Sequence, residues 1–231
     1  AMARARELRA AGNHEQALLL LDQRLAAFAV EGTRRSDVLP GSDHDSARRG
    51  RLKATLHWER GLTFYALGEL PEAALAYETA LGLLQSHPIS FKDDIAALLI
   101  NLIGVASESE DEAGHVEALD RYLTFARESA IHNDMRVDLL IFRADQLRSA
   151  ELHTEAIALY QEAVEVVQRA GLDRLPIVAY ALEAEGIGWF HKREHQKALE
   201  AYGRALDIHR STLADHQVLA NSLSVIAYLN H

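Results

Sequence analysis

The chain has 231 residues, of which 48% are hydrophobic and only 6% aromatic, enough for one large domain or two small ones with a substantial core. Its net charge of −10 argues against direct contact with nucleic-acid phosphates, and the absence of cysteine excludes disulfides, thiolate nucleophiles and Cys-ligated zinc. No apolar run approaches the ~20 residues a membrane span needs, and the N-terminus lacks a signal-peptide core, so a cytoplasmic protein without a membrane partner is expected. Ala and Leu dominate over β-branched residues, which favours close-packed helices over sheets.

Taken in chain order, the apolar periodicity predicts helices over 3–11 and 13–30, then 45–68 and 70–86. Further pairs follow at 91–110 with 114–130, 134–150 with 152–170, and 176–192 with 194–210, and a last helix at 215–229. The polar stretch 31–50, rich in Gly, Ser, Asp and Arg, is predicted to be a surface loop. In the trailing helix of each pair an alanine precedes a large side chain by four residues. The pairs are Ala17 with Leu21, Ala73 with Tyr77, Ala118 with Tyr122, Ala156 with Tyr160, and Ala198 with Tyr202. Such a face suits a helix packed closely on its neighbours, the small residue permitting approach and the ring filling the gap. The leading helices carry their own small residues: Gly61 three before Phe64, Ala144 three before Leu147, Gly186 three before Trp189.

Gly61 to Ala80 (GLTFYALGELPEAALAYETA) and Gly186 to Ala205 (GIGWFHKREHQKALEAYGRA) resemble the tetratricopeptide (TPR) pattern W-x₂-L-G-x₂-Y followed by A-x₃-F. The key alanines are 56, 45, 38 and 42 residues apart, against about 34 for the standard unit. The resemblance is therefore to the extended repeats of kinesin light chains and bacterial TPR regulators. It implies an all-α, right-handed superhelical solenoid of antiparallel helix pairs with about eleven helices. The whole chain would form one domain, with repeats near 1–30, 51–87, 91–131, 134–171 and 175–210, an insertion at 31–50 and a partial repeat at 215–231.

Motifs for chemistry are weak. His191 and His195 have the i, i+4 spacing of a helical metal pair, but they flank the predicted inter-helix turn. Ser42, Asp43, His44 and Asp45 are triad residue types crowded into the predicted loop, without a scaffold to align them. Gly186-Ile187-Gly188 lacks the third glycine of a dinucleotide loop and follows a helix pattern, so it reads as helix packing. Arg48-Arg49-Gly50-Arg51 reads as a solvated helix start. No catalytic residue, metal site or cofactor is expected.

The TPR resemblance implies that the leading helices line a concave wall that receives a protein or peptide. The inward positions it implies are Trp58, Leu62 and Tyr65, then Asn101, Gly104 and Ser107, then Ile141, Asp145 and Arg148, then Glu183, Ile187 and Phe190. Trp189 and Phe64 are assigned to packing. Only Arg148 among these positions is basic, so a partner with apolar side chains and positive charge fits better than an acidic tail. The expected function is a protein- or peptide-binding scaffold without catalysis. The alternative is the sensor or effector part of a larger bacterial regulator, favoured by the short first helix and the abrupt end. Val218, Val225 and Leu229 lie off the apolar stripe of the last predicted helix, and a homodimer through that surface is expected.

Overall fold

The computed structural model describes residues 2–35, 43–86, 88, 90–171, 175–212, 224 and 227. Among them the regular structure is ten α-helices: α1 Met2–Ala10, α2 His14–Arg35, α3 Asp43–Leu67, α4 Leu70–Leu84, α5 Lys92–Glu108, α6 Glu112–Glu128, α7 Asp134–Ser149, α8 His153–Ala170, α9 Leu175–His191 and α10 His195–Ser211. Apart from residues 224 and 227, the predicted helix at 215–229, and with it Val218, Val225 and Leu229, lies outside the described residues. The predicted loop 31–50 is shorter than its composition suggests. Helix α2 continues to Arg35 and α3 begins at Asp43, so Asp43, His44 and Asp45 form a first helical turn.

The chain divides into two compact units, residues 1–125 and 126–231. In the first unit α1 packs on α2, α3 on α4, and α4 on α5; in the second α7 packs on α8, α8 on α9, and α9 on α10. The small residues of the leading helices explain how the pairs come so close. A Cβ on Gly61 would sit 2.5 Å from Cε1 of Tyr77, and one on Gly186 would sit 2.8 Å from the ring of Tyr202. Ala144 and Tyr160 stand at the same sixteen-residue separation and are both fully buried, as are Ala5 and Leu21 in the first pair. A small residue beneath a large one is thus the seam of the hairpins, four times over.

The turns carry a second regularity. One residue in each pair's turn has a left-handed backbone: Gly12, Gly68, Glu110, Glu151 and Arg193, with φ between 56° and 78°. Around each, the chain reaches back to the end of the leading helix, as in Glu69 N–H to Phe64 O at 3.0 Å, Asp111 to Ala106 at 3.2 Å, and Glu194 to Trp189 at 2.9 Å. That is the αL helix ending that satisfies the last carbonyls. Five residues beyond each left-handed position stand Ala17, Ala73, His115, Ala156 and Ala198. Each donates its N–H four residues back, to Asn13, Glu69, Asp111, Leu152 and Glu194.

This register corrects the third repeat. His115, not Ala118, is the counterpart of Ala73, Leu119 is the counterpart of Tyr77, and Tyr122 falls where the other repeats have Ala80, Ala163 and Ala205. Ala118 falls at the place of Ala76, and both it and the large ring of Tyr122 are buried. Measured between left-handed residues, the spacings are 56, 42, 41 and 42. Beyond the first, the apparent irregularity of the alanine spacings disappears.

Candidate interaction surface

In the first unit, side-chain bonds fasten the leading helices to one another. Glu59 of α3 is buried and takes Arg6 and Arg9 of α1, the latter at 2.7 Å. Arg51 of α3 holds Asp94 of α5 at 2.8 Å. Tyr65 of α3 donates its hydroxyl to Glu108 of α5, and that bond, with burial and the carboxylate charge adding to it, raises the phenol above its ordinary range. Trp58, Leu62 and Tyr65 are half-buried along α3, while on α5 Asn101 is half-buried and Ser107 exposed. The register makes Ile100, rather than Asn101, the counterpart of Trp58. The indole Nε1 of Trp58 is buried without a hydrogen-bond partner among the described residues.

In the second unit a polar node joins three helices. Asp145 of α7 accepts the Tyr160 hydroxyl of α8 at 2.5 Å and the Tyr180 hydroxyl of α9 at 2.8 and 3.0 Å, and Arg148 reaches the same carboxylate at 3.2 Å. Arg148 Nε also donates to Tyr160 at 3.2 Å. Burial first, and then the bond to Asp145, push both phenols up. Two residues assigned from sequence to partner contact therefore spend much of their hydrogen-bonding capacity inside the unit. Glu183 is paired likewise with His209 at 3.1 Å. Ile187 and Phe190 are half-buried, and the Phe190 ring lies 5.9 Å from His191 and 5.8 Å from His195, centroid to centroid.

Ile141 is turned into the core, with 6% of its surface exposed. The neighbouring Phe142 is the exposed one, at 45%, together with Met135 at 42% on the same helix and Tyr180 at 40% on α9. These three apolar side chains are the contact candidates that sequence reasoning missed. The stripe Met135, Asp138, Phe142, Asp145, Ser149 follows the helical period from the Asp145 that was identified.

The residues weighed for chemistry take structural places. His191 ends α9, His195 begins α10, and the His191 ring stacks on His153 at 4.6 Å. Among the described residues no cluster of three or more His, Asp or Glu side chains could hold a metal ion. Gly186 lies against Tyr202 and Gly188 against Ile157, the packing role expected of them. Trp189 donates to Glu185 at 3.0 Å with Lys197 over its ring at 4.4 Å. No described helix is long and apolar enough to cross a membrane.

No protein-family model and no curated protein matches the chain. Solved structures do. A kinesin light chain-like protein of Podosopora anserina with nearly identical TPR-like repeats is 16% identical, over 91% of this chain and 94% of that one, with a TM-score of 0.50. The apo form of RapI is 15% identical, over 99% of this chain and 69% of that one, with a TM-score of 0.52. Paired antiparallel helices, αL turns and small-on-large seams agree with that likeness, and the fold is that of the TPR-like repeat proteins.

Proposed function

We propose that the chain is a recognition module without catalysis, which docks an apolar, positively charged segment of a partner protein on the exposed face of its leading helices. The observation that carries this reading is the α7–α9 face, where Phe142 and Tyr180 are exposed near the Asp145 carboxylate and Met135 is exposed further along the same stripe of α7. Large apolar side chains held on a rigid helical frame supply contact area at little entropic cost, and aromatic anchors dominate binding energy. The net charge of −10 favours a basic partner. Ile187 and Phe190 of the same unit would extend the contact, and Trp58, Leu62 and Tyr65 in the first unit would offer a contact of their own. A bacterial regulator's sensor would use the same face, with the binding signal passed to a further domain. The expected home of such a module is the cytoplasm.

Random peptides displayed on phage and selected on the protein test this reading. Enriched sequences should carry apolar and basic residues, and should lose about tenfold in affinity with Phe142→Ala or Tyr180→Ala. Leu75→Ala, at an exposed position on α4 in the other unit, should leave them unaffected. Peptides indifferent to both second-unit substitutions would sink the assignment.

A further inference from the structure

The start of α4, the last turns of α5 and the beginning of α6 enclose a cleft of about 300 Å³ within the first unit. Its apolar lining includes Leu102 and Val105 of α5 and Ala118 of α6, and its polar lining is Glu78, Ser109, Asp111, Glu117 and Arg121. The charges do not cancel. Arg121 crosses from α6 to α4 and holds both carboxylate oxygens of Glu78, at 2.5 and 3.1 Å. Asp111 accepts the Gly114 N–H at 2.9 Å and so caps α6, keeping its carboxylate at the mouth. Glu117, one turn before Arg121, adds a third negative charge against one positive.

An apolar lining under a net negative rim selects for a long aliphatic stem with a cationic head. A neutral apolar group would strip water from carboxylates without compensating them, and an anion would be repelled. The space is at the small end of ligand clefts, which suits one side chain better than a larger molecule. A guanidinium fits better than an ammonium, because it is weakly hydrated and can meet two carboxylates in its own plane. We propose that this cleft receives an arginine side chain from a basic segment of a partner protein. The site lies between two trailing helices and the last turns of α5 in the first unit, and none of Met135, Phe142, Asp145 and Tyr180 lines it.

The probes are acetyl-Gly-Leu-Arg-Leu-Gly-amide and the same peptide with citrulline, which keeps the shape and removes the charge. Methyl resonances of Leu102 and Val105 should move with the arginine peptide, and the citrulline peptide should bind about tenfold more weakly. Glu117→Lys, at an exposed position, should abolish the shifts, whereas Phe142→Ala should preserve them. Equal binding of the two peptides, unmoved methyls, or undiminished binding by Glu117→Lys would overturn the proposal. Butylguanidinium binding as tightly as the peptide would overturn it too, since the occupant would then be a free small cation.

Discussion

Replacing Gly61 with alanine sets two effects of opposite sign against each other. Alanine in a helix interior is favoured over glycine by about 1 kcal/mol. Its Cβ, however, would stand 2.5 and 2.6 Å from two ring carbons of Tyr77, where carbon atoms ordinarily rest at about 3.5–4.0 Å. The ring must retreat by about 1 Å, and it is 1% exposed among Ala73, Ala76, Ala80 and Leu81, all buried. Overpacking of this kind costs about 1–3 kcal/mol, so the clash outweighs the propensity gain and a net loss of about 1 kcal/mol is expected. In a chain of this length that lowers Tm by roughly 2–4 °C. Gly82→Ala is the control, because nothing lies within 4 Å of its Cβ position on α4; it should raise Tm, by up to roughly 4 °C. Thermal melts followed by circular dichroism measure both. A Gly61→Ala protein melting at or above wild type would show that the ring does not rest on this glycine.

Two further outcomes follow from the second unit and the turns. Burial alone would push the Glu162 carboxyl up, but hydrogen bonds from Arg127 and Arg136 outweigh it and hold it below its ordinary value of 4.5. A depressed carboxyl contributes stability that is complete above its unfolded pKa and lost as pH falls through the folded one; urea melts should therefore weaken below about pH 4.5, and less steeply in Glu162→Gln. Glu151 has φ 60°, a conformation that costs a non-glycine residue about 1 kcal/mol, so Glu151→Gly should stabilise by somewhat under ~1 kcal/mol after the entropy of the freer unfolded chain is counted. Gly68→Ala, at φ 78°, should destabilise by about the same amount. If both substitutions move urea midpoints in the same direction, the left-handed turn is not what sets their effects.

The helix pairs were legible because Ala-x₃-Tyr marks the packed face of α4, α8 and α10, Ala17 with Leu21 does the same in α2, and Gly61, Ala144 and Gly186 mark the leading partners. The third repeat misled because Ala118 and Tyr122 reproduce that spacing nearly one turn further along α6, while the true counterparts, His115 and Leu119, break the residue pattern. Only the turn, with its left-handed Glu110, fixes the register, and glutamate gives no hint of that backbone in the sequence. Ile141 and Phe142 are adjacent and both apolar, so a rotation of one residue decides which is buried. The Asp145 node was invisible for another reason. It needs Tyr160 and Tyr180 from two other helices, fifteen and thirty-five residues away, and no local pattern connects them.

The small-on-large seam bears on how the chain acquires its structure. Sixteen residues separate the two sides of each contact, whether Gly61 and Tyr77 or Gly186 and Tyr202. Closing so short a loop loses little chain entropy, and neighbouring contacts of this kind are the ones that make helical chains fold quickly. Each hairpin can therefore form its seam before any other hairpin exists, and several can serve as the starting point. A lesion at one seam should then slow or remove one route while the others remain open, so the same chain would still fold, by a different order of events.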